Sequence, residues 1–177
     1  MIQIDIDNIV ALGFVKQDEL HKFKSDLQEA FTAALVENFG SNSNKPIPTD
    51  KAIEKSLNAP GAVVYHILLN GKKVGGAVLA IDEITQRNSL EFFFIYANEH
   101  SNGLGYKAWK AIESTYPQTK VWETLTPYYE KRNIHFYVNK CGFKIVEYLN
   151  NNKINSSIWN DKELPDEDFF RFEKVMK

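Results

Sequence analysis

Two glycines, Gly103 and Gly105, lie where an apolar, strand-like run gives way to a helical pattern, in the segment HSNGLGYKAWKAIE that begins at His100. Glycine permits a tight turn, and the first turn of a helix carries unbonded N–H groups and a partial positive charge. Such a junction can hold a phosphate or a pyrophosphate, although the pattern also fits a tight turn without a ligand. The segment is not the dinucleotide-binding fingerprint, because Ala108 occupies the position of its third glycine. It is not a P-loop, because no Gly-Lys-Ser/Thr follows.

Glu91 is a carboxylate inside the apolar run LEFFFIYA of residues 90–97, between Leu90 and Phe92. Burial there would desolvate the carboxylate and raise its pKa toward the range in which it can act as a general base. The alternative is a polar residue that simply points away from one face of a sheet. Glu123, in the run TKVWETLT of residues 119–126, is a second candidate base.

The elements that position these groups follow from hydrophobic periodicity and turn residues. Apolar spacing predicts a helix over residues 17–39, and a short helix over 51–57 follows. Residues 62–69 and 72–85 are predicted strands, joined by the hairpin signal Asn70-Gly71. The remaining predicted elements are a strand over 90–97, a helix over 103–116, a strand over 119–126, a helix over 130–141 and strands over 143–149 and 168–175. This order predicts one α+β domain over residues 1–177.

Composition excludes several function classes. The 177 residues carry 21 Lys and Arg against 23 Asp and Glu, and the scarcity of arginine argues against nucleic-acid binding. The lone Cys141 excludes an internal disulfide and is expected to be an inert buried thiol. The acidic N-terminus is unlike a secretory signal, and the apolar run of residues 92–97 is far shorter than the ~20 residues of a membrane span. We therefore expect a soluble, cytoplasmic protein with no membrane partner.

At two motifs the sequence resembles the GNAT superfamily of N-acetyltransferases, and specifically its small bacterial-type members. The segment from His100 to Gly105 is similar to the acetyl-CoA motif of that superfamily, Arg/Gln-x-x-Gly-x-Gly/Ala. The segment RNIHFYVNKCGF, which ends at Phe143, is similar to its second cofactor motif, a helix with Asn and Tyr that ends in Gly-Phe. The order of elements over residues 17–150 also fits.

The resemblance implies the GNAT fold, a mostly antiparallel mixed sheet whose parallel fourth and fifth strands splay apart at a bulge. It implies acetyl-CoA as cosubstrate, no metal, and a gap between those strands that holds the pantetheine. An amide near Ile95 would face the thioester oxygen and stabilise the oxyanion. The implied cofactor-binding residues are Phe94, Ile95, Tyr96, His100, Ser101, Asn102, Gly103, Leu104, Gly105, Tyr106 and Asn133. His100 replaces the Arg or Gln of the motif, and is either a pyrophosphate contact or a solvated loop residue.

By the same resemblance, Tyr137 protonates the departing thiolate. The superfamily places this tyrosine four residues before the glycine of Gly-Phe, whereas Tyr137 lies five before Gly142 and Val138 holds the usual position. One residue rotates a helix by about 100°, so the orientation of Tyr137 is open, with Tyr128 and Tyr129 as alternatives. Asn133 either bonds the pantetheine or caps its helix.

These features predict that an acetyl group is transferred from acetyl-CoA to a primary amine of a small molecule or a protein by direct attack. Glu91 is the predicted base, acting directly or through a water molecule, and Tyr137 is the predicted acid. The alternative is a non-catalytic acyl-CoA-binding regulatory module, which the shifted tyrosine favours. The acceptor is open. A pocket for a cationic acceptor would need carboxylates such as Glu91, Glu123 and Glu130 to converge, and Trp159 is a candidate cover for that pocket. A homodimer would fit the aromatic content.

Overall fold

The computed structural model of the protein describes residues 8–40, 48–100, 103–150 and 168–177. Within these residues, a strand is followed by two helices, by three strands that pair in antiparallel fashion, and then by further helices and strands. The elements are β1 (Val10–Phe14), α1 (Leu20–Phe39), α2 (Asp50–Leu57), β2 (Ala62–Leu69), β3 (Lys72–Ala80), β4 (Arg87–Ile95), α3 (Leu104–Thr115), β5 (Val121–Pro127), α4 (Lys131–His135), β6 (Lys144–Leu149) and β7 (Phe169–Val175).

The strands form one mixed sheet in the order β1-β2-β3-β4-β5-β7-β6. Neighbouring strands are antiparallel except β4 and β5, which are parallel because α3 connects them. This is the α+β architecture that the sequence predicts. In the described part of the chain, no helix has both the length and the apolar character that a membrane span requires.

The two faces of the sheet carry separate cores. On one face, Phe23 and Leu27 of α1 and Ile53 of α2 pack against strand residues that include Phe92 and Phe94. On the other face, α3 and the helix after β5 cover a second cluster, in which Trp109 and Trp122 are fully buried with ring centroids 5.3 Å apart. Both tryptophans are core residues. Because the helices lie on both faces, an interruption within the sheet becomes a site enclosed from two sides.

The β2–β3 hairpin follows the sequence signal closely. Asn70 and Gly71 both have positive φ, 51° and 82°, as a two-residue hairpin of this type requires. In β3, Gly75 and Gly76 permit close packing: a Cβ on Gly76 would lie 2.3 Å from the ring of Phe23. The glycine pair therefore allows α1 to approach the sheet.

Several elements differ from the predictions, among them β4, which spans Arg87–Ile95 rather than residues 90–97. The strand β1, which pairs with β2, is not predicted by the sequence analysis. The third strand ends at Ala80 rather than at residue 85, since Asp82 caps a turn by accepting hydrogen bonds from the backbone N–H groups of Ile84 and Thr85. The predicted helix over 130–141 is α4 followed by a π turn, Phe136–Lys140.

Candidate active site

The parallel ladder between β4 and β5 is short. It ends at the pair Ser89 and Glu123, and the rest of β4 separates from β5. At the point of separation the Thr124 hydroxyl donates a hydrogen bond to the Leu90 carbonyl over 3.0 Å, in place of a backbone bond. The two strands thus splay apart, as the sequence resemblance implies, and leave a gap in the middle of the sheet.

Backbone groups of β4 point into this gap. The N–H of Tyr96 bonds to the Val74 carbonyl of β3 over 2.9 Å, so the Tyr96 backbone faces away from β5. Because residues of an antiparallel strand alternate in the direction of their backbone bonds, the N–H and C=O of Ile95 face β5. A strand edge with polar groups that have lost their ladder partner is a template for an extended ligand.

The gap opens into a cleft of about 740 Å³. One end of the cleft is formed by the N-terminus of α3 and by basic side chains, and the other end by an apolar part of α1 and by aromatic residues. The basic end includes His100, Gly103, Leu104, Gly105, Tyr106, Arg132, Asn133, His135 and Lys140. The apolar end includes Ala30, Phe31, Ala34, Leu35, Pro127, Tyr129 and Phe169. Phe93, Phe94, Ile95, Phe136 and Tyr137 also line the cleft.

The N-terminus of α3 has the geometry expected of an anion site. Gly103 is the N-cap with φ +72°, a conformation that favours glycine, and it offers no side chain to satisfy the first helical N–H groups. A Cβ on Gly105 would lie 3.3 Å from the Phe136 ring, so the absence of a side chain there keeps the cleft open. The exposed N–H groups and the helix dipole favour a phosphate.

His100 is held at this end by two hydrogen bonds. Arg132 donates from Nη2 to His100 Nδ1 over 2.9 Å, and His100 Nε2 lies 2.8 Å from the Ile95 carbonyl oxygen. Because a guanidinium only donates, Nδ1 is the acceptor and Nε2 carries the proton that bonds to Ile95. His100 is therefore a bridge between β4 and α4 rather than a freely solvated loop residue, and it brings the Arg132 charge to the cleft.

Glu91 lies in a β-bulge of β4. Val78 of β3 pairs with Phe92, and Leu79 pairs with Leu90, so Glu91 is the extra residue. The bulge turns the Glu91 side chain toward α2, where the Ser56 hydroxyl donates to Oε2 over 3.4 Å. Burial raises the pKa of Glu91 to about 7, the Ser56 hydrogen bond opposes that rise, and the charge of Glu123 adds to it. This carboxylate can therefore exchange a proton near neutral pH.

The raised pKa predicts an effect on stability that is independent of any activity. The folded protein binds the Glu91 proton more tightly than the unfolded chain, so the free energy of unfolding falls as pH rises from 4.5 to about 7. At about 1.4 kcal/mol per pH unit, Glu91→Gln should gain about 3 kcal/mol relative to the wild type across this interval. Urea unfolding at pH 4.5, 6 and 8 measures it, with Glu83→Gln, at an exposed turn carboxylate, as the control. A gain that is independent of pH would contradict the burial of this charge.

The other carboxylates do not gather around Glu91. Glu123 forms ion pairs with Arg87 and, over 3.5 Å, with Arg171, so two guanidinium groups already neutralise it. Glu130 is buried at the start of α4 and lines the cleft. The convergence of Glu91, Glu123 and Glu130 that a pocket for a cation would need is not found.

Tyr137 lines the cleft from the π turn. The Cys141 N–H bonds to the Phe136 carbonyl over 3.0 Å, five residues back, so this turn holds one residue more than an α-helical turn. The extra residue offsets the shift in spacing between Tyr137 and Gly142. The phenol packs against Phe143 and Phe172 and hydrogen-bonds to Thr124, and burial raises its pKa above the usual value. Its hydroxyl therefore remains protonated and able to donate.

The chain is similar over nearly its whole length to a curated relative. It is 53% identical over 174 residues to the uncharacterized protein YrkN of Bacillus subtilis (strain 168), and the match covers 95% of this chain and 94% of YrkN. No protein-family model matches the sequence.

Solved structures resemble the fold at low sequence identity. The IAA acetyltransferase from Bacillus cereus ATCC 14579 superposes with a TM-score of 0.67 at 16% identity, over 95% of this chain and 100% of that one. A GNAT family acetyltransferase from Elizabethkingia anophelis with acetyl-CoA bound gives 0.58 at 16% identity, over 77% of this chain and 95% of that one. The chain belongs to the YrkN family and has the GNAT fold. The fold expected from the two motifs is thereby confirmed.

Within this GNAT fold, most of the predicted site residues lie together around the cleft. The side chains of Tyr96 and Glu91 do not line it: the Tyr96 hydroxyl donates to Asp26 over 3.0 Å, and Glu91 faces Ser56. Asn133 lines the cleft, and it does not cap α4, because Glu130 is the N-cap. Ser101, Asn102 and Trp159 lie outside the described residues.

Cys141 has the structural role expected of it, and His66 is also a core residue. Cys141 is 3% exposed, and burial raises the pKa of its thiol to about 12, which leaves it unreactive at neutral pH. His66 is buried in β2 of the GNAT sheet, with Nε2 3.2 Å from Glu19 Oε2. In the described part of the chain, no group of three His, Cys, Asp or Glu side chains is arranged to hold a metal ion.

Three residues of the site, Ser56, Thr124 and Arg132, are not predicted from the sequence. Arg132 directly precedes Asn133 in the second GNAT-like motif, so its position was a usable signal. Ser56 and Thr124 carry no such signal, because each acts through a contact with β4 that only the folded chain creates.

Proposed function

We propose that this chain is an acetyl-CoA-dependent N-acetyltransferase that acts on a primary amine of a small molecule or a protein. The observation that carries the proposal is the splayed gap between β4 and β5, which opens into a cleft running from the N-terminus of α3 to Tyr137. The acetyl-CoA bound to the Elizabethkingia anophelis neighbour of the same fold supports it.

The residues of the cleft fit the chemistry of acetyl-CoA. Its pyrophosphate needs hydrogen-bond donors and positive charge, which the first turn of α3 and Arg132 supply. Its pantetheine is an extended chain with amide groups, which suits the edge of β4 that does not pair with β5. The Ile95 N–H, which faces the gap, is the donor that we assign to the thioester oxygen.

We assign the proton transfers to Glu91 and Tyr137. Glu91 removes a proton from the ammonium form of the acceptor, and because its side chain does not line the cleft, a water molecule carries that proton. The amine nitrogen then attacks the thioester carbon, so a C–N bond forms, and the C–S bond breaks. The sulfur leaves as thiolate and takes the Tyr137 proton, and the second proton, which the attacking nitrogen then loses, restores the Tyr137 phenol through water. The unreactive Cys141 supports direct transfer over an acyl-cysteine route.

The π turn bears on the alternative of a non-catalytic acyl-CoA-binding module. That alternative drew its support from the spacing of Tyr137, and the extra residue of the turn offers a structural reason for that spacing. We therefore favour the enzyme.

Calorimetric titration with acetyl-CoA tests the cofactor site. We expect the wild type to bind in the micromolar range and Gly105→Val to bind at least about tenfold more weakly, because the new side chain meets Phe136 and enters the cleft. Gly105 is a better site for this test than Gly103, since any side chain at Gly103 strains a backbone of positive φ.

Ser114→Val, on the exposed face of α3, is the matched control and should bind as the wild type does. If the wild type does not bind acetyl-CoA at millimolar concentration, both the enzyme and the acyl-CoA-binding module are excluded. Binding that Gly105→Val leaves unchanged would place the cofactor elsewhere.

A further inference from the structure

The apolar stripe of α1 serves two purposes along its length. In the first half of the helix, Phe23 and Leu27 are buried in the core. In the second half, Ala30, Phe31, Ala34 and Leu35 are only partly buried and line the cleft. Apolar side chains that continue past the core and face a cleft provide a surface for an apolar ligand.

The charges that line the cleft are mostly positive. Among the described lining residues, Glu130 is the sole carboxylate, whereas Arg132 and Lys140 are cations and two histidines accompany them. Glu123, the nearest other candidate, is neutralised by its two arginines. The described lining therefore offers this single carboxylate to an acceptor, which is too few to pair with several ammonium groups.

We propose that the acceptor is a small amine with a single ammonium group on an aliphatic or aromatic body, and that Ala34 and its neighbours on α1 set this specificity. The inference rests on the proposed function, because it assumes that the basic end of the cleft is taken by acetyl-CoA. The apolar body lies against Phe31 and Leu35, and its amine reaches toward the gap between β4 and β5.

Equilibrium binding to the CoA-saturated protein tests the inference without requiring turnover. Calorimetric titration with 2-phenylethylamine, hexylamine and spermidine should give dissociation constants at least about tenfold lower for the two apolar amines than for spermidine. In parallel, acetylation of the same three amines is measured with acetyl-CoA. Spermidine bound as tightly as the apolar amines would overturn the inference.

Two alanines of α1 offer a matched pair of variants. Ala34 faces the cleft, and Ala33 is exposed on the outer side of the helix. Ala34→Glu should weaken 2-phenylethylamine binding at least about tenfold and favour spermidine, because it places a carboxylate on the apolar wall. Ala33→Glu should change neither affinity, and equal effects of the two variants would overturn the assignment of the wall.

The outcomes separate this inference from the proposed function. If the apolar amines bind in the expected order but none is acetylated, the apolar wall binds amines as inferred, whereas the enzyme proposal fails and with it the role of these amines as acceptors. If spermidine is acetylated in preference to both apolar amines, the enzyme proposal holds and the inference fails.

Discussion

We expect Glu91→Gln to lower kcat/KM for amine acetylation by about 10²- to 10⁴-fold, the usual contribution of a general base. The variant keeps the shape of the side chain and its contact with Ser56 but cannot accept a proton. Because the acetyl-CoA cleft is lined by other residues, the dissociation constant of acetyl-CoA should remain that of the wild type. Steady-state kinetics with the best acceptor, together with calorimetry, measures both quantities.

The pH profile identifies the group that is lost. A base works in its deprotonated form, so wild-type kcat/KM should rise with pH along a limb with an apparent pKa of about 7, the value for Glu91. In Glu91→Gln this limb should vanish and leave only the titration of the free amine. Ser56→Ala removes a hydrogen bond to the carboxylate, so it should move the limb to higher pH.

Glu123→Gln is the matched control, since Glu123 is the alternative base. Its charge raises the pKa of Glu91, so the variant should keep its activity while the limb moves to lower pH. If Glu123→Gln loses activity and Glu91→Gln does not, the base has been assigned to the wrong strand.

The parts of the fold that the sequence predicts are those with strong local signals. The Asn70-Gly71 turn and the helix α1 are examples, because a local sequence pattern predicts each of them. The strand β1 lacks such a signal: it is five residues long, includes Gly13, and exists because its residues pair with β2. The bulge at Glu91 and the π turn at Phe136–Lys140 are likewise products of packing.

The same distinction applies to the candidate site: features with a local sequence signal can be predicted, and features that depend on packing cannot. The glycines at the start of α3 can be recognised in the sequence, because the role proposed for them depends on the local backbone. The direction of the Glu91 side chain depends on a one-residue bulge that moves it to the α2 face, and the direction of Tyr137 on one extra residue in a helical turn. Hydrophobic periodicity assumes regular helices and strands, so it cannot predict an irregularity of a single residue.

In the proposed mechanism, Glu91 also presents a conflict between stability and activity. A carboxylate whose pKa is raised by burial destabilises the folded chain at neutral pH, whereas Gln at the same position would not. A buried, partly desolvated base at a bulge is the kind of local cost that active sites retain. The gain in stability and the loss of activity in Glu91→Gln should therefore appear over the same pH range.

The second large effect is expected at Tyr137. Tyr137→Phe should lower kcat by about 10²-fold and leave KM for acetyl-CoA near the wild-type value, because the hydroxyl acts only when the thiolate departs. The ring contacts with Phe143 and Phe172 remain, and the lost hydrogen bond to Thr124 costs about 1 kcal/mol of stability. Thermal unfolding should therefore show a folded protein with a slightly lower Tm.

Tyr129→Phe is the control for this assignment, since Tyr129 also lines the cleft and is an alternative acid. Because burial raises the pKa of Tyr137 above its ordinary value, the wild-type rate should not fall between pH 8 and pH 10 through loss of the Tyr137 proton. A full kcat in Tyr137→Phe together with a large loss in Tyr129→Phe would move the acid to Tyr129. The π turn would then serve packing alone.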